Sequence, residues 1–188
     1  MKTRDLATMA LFTALTAVGA FIRIPVPVVP FTLQFLFTML AGILLGGKKG
    51  ALSVLCYVLM GLAGLPIFAD GGGIGYIVHP TFGYLIGFVI ATYVTGSIVE
   101  KSELPLFRRI LAANFTGLVI VYSAGMIWYW MISRFYMGSP IGLYTLFLYC
   151  FVLAVPGDIF LCIVAALLGK RLIPVLQKEG LCAYEKSA

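Results

Sequence analysis

The chain has 188 residues, of which 62% are apolar and only 11% charged, and its mean hydropathy is +1.07. A soluble domain carries about 25% charged residues, so this composition excludes a soluble globular protein and points to an all-α integral membrane protein, a single domain over residues 1–188. The net charge of +6 invites a nucleic-acid partner, but its placement, set out below, marks topology instead and leaves the lipid bilayer as the partner the charge implies.

Roughly 20 apolar residues cross a bilayer's hydrocarbon core. Hydropathy and helix breakers predict six transmembrane helices, near residues 6–22, 32–45, 51–68, 82–99, 110–132 and 142–168. The first is too long for the apolar part of a secretory signal peptide, and further spans follow it. Ala7, Ala10, Ala14 and Ala17 recur along it at three- and four-residue spacing, which places them on one helical face. Small faces let a second helix approach closely in lipid. That face is read either as packing inside the bundle or as a docking face for a separate membrane subunit.

Pro25, Pro27 and Pro30 interrupt the chain before the second span. Each removes a backbone donor and restricts the residue before it, so segment 25–30 is expected to run extended over the bundle. Gln34 follows near the outer surface. The run from Gly42 to Lys48 matches the spacing of a phosphate loop, yet Lys49 stands where the magnesium-holding Ser or Thr belongs, and the first half lies inside a span. ATP binding is therefore rejected.

The loop 69–79 is rich in glycine, including Gly71, Gly72 and Gly73. Backbone without Cβ atoms can form an anion-binding nest; a plain flexible loop is the alternative. His79 closes the loop and reads as a solvated imidazole. Tyr84 begins the fourth span just below, and Gly83 with Gly87 forms a G-x3-G pair expected to mark close helix packing.

Depth sorts the polar residues of the last two spans. At about 1.5 Å of rise per residue, Tyr122 lies roughly 20 Å from Arg109, and Asp158 roughly 18 Å from Lys170, so the two are level. Asn114 lies only about 8 Å in by the same rule, which suits hydrogen bonding between helices and not an outward-opening pocket. Trp128, Tyr129 and Trp130 fall near the outer headgroups as an aromatic belt. Asp158 is the sole formally charged side chain between Leu146 and Leu168. A carboxylate at bilayer depth costs on the order of 2.5–3.5 kcal/mol on insertion scales, so it needs a wet cavity, a partner or a ligand. Pro156 and Gly157 before it free a carbonyl and open the backbone to close approach. A structural carboxyl bonded to a neighbouring helix is the alternative.

Eleven of the thirteen Lys and Arg residues fall before the first span, between the second and third, between the fourth and fifth, or after the sixth. Only Arg23 and Arg134 fall on the other side. The positive-inside rule then puts both termini in the cytoplasm, with segments 25–30 and 69–79 extracellular and a cytoplasmic tail at about 172–188. Cys56, Cys150, Cys162 and Cys182 show no metal-binding spacing and read as small apolar fillers.

The run from Arg23 through Pro25, Pro27 and Pro30 to Thr32, Leu33 and Gln34 resembles the signature of the BioY family, the biotin-binding S components of energy-coupling-factor (ECF) transporters. The glycine-rich loop with Pro80 to Phe88 fits that resemblance, as does Pro156-Gly157-Asp158, and the likeness covers nearly the whole chain. Leu161 departs from it, since members often carry a lysine one turn after the aspartate. The resemblance implies a prokaryotic plasma-membrane protein that captures biotin from outside, needs no cofactor, and docks on an ECF transmembrane coupling subunit served by two ATPase subunits. Ala10 and Ala14 carry the AxxxA spacing of the docking surface.

Biotin's chemistry suits the residues already singled out. Its ureido ring offers two N–H donors and one carbonyl acceptor. Asp158 would accept from a ureido N–H, while Gln34 or a hydroxyl of Tyr84 or Tyr122 would donate to the carbonyl. The amides of Gly71, Gly72 and Gly73, or Arg23, would take the carboxylate; the reverse placement of biotin's two ends is the alternative. The substrate-binding set is thus Gln34, Gly73, Tyr84, Tyr122 and Asp158. Two other readings stand beside this one: a stand-alone proton-coupled carrier with Asp158 as relay, and an intramembrane enzyme, which lacks a nucleophile–base pair or metal cluster at depth.

Overall fold

The computed structural model describes residues 3–24, 31–102, 104–138, 142–152 and 154–179. The proline-rich segment 25–30, Lys2, and residues 180–188 with Cys182 and Lys186 lie outside the described residues. The elements in order are α1 (Thr3–Phe21), β1 (Arg23–Ile24), β2 (Phe31–Thr32), α2 (Gln34–Leu62), α3 (Phe82–Val99), α4 (Phe107–Phe135), α5 (Leu143–Phe147) and α6 (Val155–Lys178). A 3-10 turn at Ile74–Val78 precedes α3, and a π-helical turn at Leu148–Val152 follows α5.

Five helical stretches are long and apolar enough to cross a membrane: α1, α2, α3, α4 and Tyr144–Lys178. The second and third predicted spans fall largely within α2, which is not one rod and which ends at Leu62, short of the predicted limit at residue 68. Gly46 breaks it with φ 78° and ψ 173°, a conformation essentially confined to glycine. The Gln34 amide nitrogen lies 2.7 Å from the Tyr57 hydroxyl, although a straight helix would hold residues 23 positions apart about 34 Å from each other. A Cβ on Gly50 would fall 2.7 Å from the Ala41 carbonyl oxygen. The helix therefore doubles back at Gly46 into two antiparallel arms, 34–45 and 47–62.

The first arm is the strut of the bundle. Residues 38–47 are buried without interruption, as expected of a helix that is apolar all round. Gly19 of α1 packs on Phe37 and the Gln34 backbone, Gly42 on Thr92 of α3, Met39 on Gly117 of α4, and Ile43 on Gly169 of α6. α3 and α4 lie side by side through Gly83 and Gly87, which pack on Trp128, Ala124 and Val121. The predicted G-x3-G contact thus falls inside this bundle.

Two corrections concern the ends. The predicted sixth span is not a continuous helix from residue 142; the helix restarts at Val155 with proline in its first turn, a position where the missing N–H costs nothing. It then continues to Lys178, beyond the predicted limit at residue 168 and into the predicted tail.

One end of the bundle gathers charge. Lys49 pairs with Asp5 at 2.9 Å, Arg4 donates to the Glu179 carbonyl at 2.9 Å, Arg109 to the Ile98 carbonyl at 2.9 Å, and the Gly47 N–H to Glu100 at 2.9 Å. The start of α1, the α2 bend, the end of α3, the start of α4 and the end of α6 therefore share one face. The candidate site lies at the other end.

Candidate functional site

A cavity of about 600 Å³, its open mouth included, is lined from four helices and two loops. The start of α2 supplies Gln34 and Phe35, the start of α3 Tyr84, Leu85 and Phe88, the outer half of α4 Val121 and Tyr122, and the first turn of α6 Asp158. Phe31 and Thr32 of β2 and Ala69, Tyr76 and Thr81 of the loop form its rim. Its lining is mostly apolar with a few placed polar groups, the pattern of small-molecule pockets.

The polar groups are specific. Tyr122 donates its hydroxyl to Asp158 Oδ2 at 2.6 Å, so the two residues that helical rise places level do meet. Asp158 is 7% exposed, and its Oδ1 is buried with no hydrogen-bond partner among the described residues. The Tyr84 hydroxyl is also buried without a partner of good hydrogen-bonding geometry among the described residues, and the Cys150 thiol lies within interaction reach of it. Buried polar groups are nearly always satisfied, and an orphan calls for an explanation such as a ligand. Aromatic rings hold these groups in place: Tyr84 and Tyr122 meet edge to face at 5.9 Å, and Phe151 stands edge-on to Tyr122 at 5.7 Å. Gly157 has its own function here, because a Cβ would fall 2.5 Å from the Phe31 ring that walls the cavity.

Gln34 also lines the cavity and hydrogen-bonds to Tyr57, whose hydroxyl continues to the Ile67 carbonyl at 3.0 Å. Gly73 does not line it. Its N–H donates to the Gly61 carbonyl at 2.7 Å, and the Gly71 N–H to the Phe68 carbonyl at 3.3 Å, so both amides are committed to the loop's own fold and neither is free to cradle an anion. Arg23 is likewise engaged, bonding Asp70 at 2.8 Å and the Ala69 carbonyl at 2.6 Å. It ties the β1–β2 ribbon, paired Arg23 with Thr32 and Ile24 with Phe31, to the rim.

His79 is not the solvated imidazole expected. It stacks on Tyr76 at 4.6 Å, and Nδ1 lies 2.8 Å from the Thr81 hydroxyl. Burial lowers its pKa below the ordinary histidine value, opposed by nearby Asp70. Trp128, expected in the aromatic belt, also donates to the His79 carbonyl at 3.3 Å. Asn114 bonds the Cys162 carbonyl at 2.9 Å and is fully buried, the inter-helix role its depth suggests. Ala10 and Ala14 are exposed, and α1 turns Met9, Phe12, Thr13 and Thr16 inward instead. Ala7, Ala10 and Ala14 are thus not packed inside the described bundle, whereas Ala17 is half-buried against its core.

Sequence reasoning misses Thr81 and Tyr76 on the rim and Tyr57 behind Gln34. Thr81 follows Pro80 at the start of a helix, a signal that could have singled it out. Tyr57 has no local signal, since only the fold-back brings it to Gln34.

A helical membrane bundle with a buried carboxylate in a cavity at one end defines a small-molecule-binding membrane protein. The chain belongs to the BioY family, whose model matches residues 1–178. It is similar to the probable biotin transporter BioY of Lysinibacillus sphaericus, 45% identical over 176 residues, covering 94% of this chain and 90% of that protein. It is also similar to the biotin transporter BioY of Thermotoga maritima, 47% identical over 124 residues, covering 65% of this chain and 72% of that one. Its fold matches the 2.1 Å crystal structure of the S-component for biotin from an ECF-type ABC transporter with a TM-score of 0.80 and 28% identity, over 92% of this chain and 94% of that chain.

Proposed function

We propose that this chain is the biotin-capturing S component of an ECF-type uptake transporter. The observation that carries the reading is the pair of orphaned buried groups, Asp158 Oδ1 and the Tyr84 hydroxyl, in one cavity. Biotin's ureido ring brings N–H donors and a carbonyl, the complement of a carboxylate oxygen and a phenol. Phe31, Phe35, Leu85, Phe88 and Val121 supply apolar wall for the thioether ring and valerate chain. Biotin is cargo here, and no cofactor or catalytic group enters the reading.

The antiparallel arms of α2 support a count of six spans, with both termini on one side. Arg4, Lys48, Lys49, Lys101, Arg108, Arg109, Lys170, Arg171 and Lys178 favour the cytoplasm for that side. The cavity then opens outward from a cell membrane. Exposed Ala10 and Ala14 form the face on which a coupling subunit would seat, and energy would come from two ATPases bound to that subunit.

Titration of the purified protein with biotin by calorimetry tests capture: one-to-one binding is expected, and no heat from the folded protein would remove the substrate assignment. Uptake by vesicles holding this chain alone tests the division of labour. Accumulation without the coupling subunits would instead make it a self-sufficient carrier.

A further inference from the structure

The hydroxyl of Tyr57 sits between two groups with different hydrogen-bonding capacities. The Ile67 carbonyl, 3.0 Å away, can only accept, so it takes the phenolic proton. A hydroxyl has one proton to give, and Tyr57 must therefore accept from its other neighbour, 2.7 Å away: the amide of Gln34. Only the NH₂ side of that amide can donate. Oε1 is thereby left on the side of the Thr32 hydroxyl, 3.4 Å away, and both Thr32 and Gln34 line the cavity. Tyr57 is fully buried and Gln34 is 4% exposed, so water is in no position to compensate a reversed amide.

We infer that Tyr57 is a positioning residue that fixes the orientation of the Gln34 amide, presenting Oε1 to the ligand as an acceptor. This rests on the biotin reading of the cavity and deepens it. Gln34 becomes a second acceptor beside Asp158 Oδ1, and the ureido carbonyl is left to the Tyr84 hydroxyl. Two acceptors and one hydroxyl donor match a ureido ring's two N–H groups and single carbonyl. Gln34 thus selects for an N–H on the ligand, and it does so because Ile67, a loop residue outside the cavity lining, claims the Tyr57 proton.

The test is a double-mutant cycle on biotin affinity, measured by calorimetry with Tyr57→Phe, Gln34→Ala and the combination. Tyr57→Phe keeps the ring in the core and removes the orienting hydroxyl, and binding is expected to weaken by about tenfold. In the Gln34→Ala background the same change is expected to have almost no further effect, because no amide remains to orient. Equal losses in both backgrounds, or none in either, would overturn the inference while leaving biotin capture intact; failure of the unsubstituted protein to bind biotin overturns both. Should Tyr57→Phe fail to fold, the unsubstituted protein decides. Gln34 and Gln177 are its two glutamines, so side-chain amide signals of ¹⁵N-glutamine-labelled protein are few. One Gln34 amide proton is expected to exchange slowly, and the pair to shift on adding biotin. Fast exchange of both, or indifference to biotin, contradicts the inference.

Discussion

The Tyr122 hydroxyl lies 2.6 Å from Asp158 Oδ2 across 36 residues of chain. One carboxylate oxygen is thus held by the protein while the other is left without a protein partner among the described residues. In the proposed reading Tyr122 aims the carboxylate, and Asp158 Oδ1 is the part offered to biotin. Tyr122→Phe should weaken biotin binding by about 2- to 13-fold, the net worth of one typical hydrogen bond, with little change in the ring contacts to Tyr84 and Phe151. Calorimetric titration of the variant checks it.

Gly46 makes the reversal of α2 possible at φ 78°, ψ 173°. Gly46→Ala should cost about 1–3 kcal/mol of stability, since a Cβ strains this backbone region. The bend lies at the end away from the cavity, so biotin affinity should change far less than the thermal midpoint. Melting curves with and without biotin separate the two effects.

His79 gives a pH dependence with a definite sign. Burial lowers its pKa below the unfolded value of about 6.5, so the unfolded chain binds the proton more readily. Its contribution is complete above about pH 6.5 and is lost as the pH falls through the folded-state value. The loop carrying Tyr76 and Thr81 should loosen on acidification. Melting temperatures at pH 8 and pH 5, compared between the unsubstituted protein and His79→Asn, should show a drop that the variant lacks.

The docking face proposed at Ala10 and Ala14 predicts that capture and transport can be separated. Both are exposed on α1, and neither lines the cavity. Ala14→Trp should leave biotin binding within about twofold, as surface changes usually stay within about 0.5 kcal/mol. It should abolish association with the coupling subunit and with it biotin uptake. Co-purification and uptake assays on the same variant check both halves.

Much of the site is legible in the sequence because helical geometry is simple. Rise per residue puts Tyr122 and Asp158 at one depth, and Asp158 stands out as an isolated charge in an otherwise apolar helix. The small residues announce close packing: Gly83 and Gly87 pack helices, while Ala7, Ala10 and Ala14 of α1 stay exposed and Ala17 packs on the core. What escapes depends on contacts distant in sequence. The glycine loop looks free to bind an anion, but its Gly73 amide is taken by Gly61 at the end of α2, onto which the loop itself folds. Arg23 looks available for a carboxylate and is held by Asp70 instead. The Gly46-Gly47-Lys48-Lys49 run fails as a phosphate loop, and the reversal expected between the second and third spans falls at its first residue, Gly46. Tyr57 sits in an apolar run that reads only as span.

The most direct measurement is a calorimetric titration of biotin into the unsubstituted protein and into Asp158→Asn, side by side. Asparagine keeps the size of the side chain but replaces an acceptor oxygen with a donor NH₂. One-to-one binding by the unsubstituted protein, weakened on the order of 10- to 100-fold in the variant, is expected from the loss of a buried acceptor. Equal affinity in the two proteins would contradict a ligand-binding role for Asp158 and return it to holding α4 against α6.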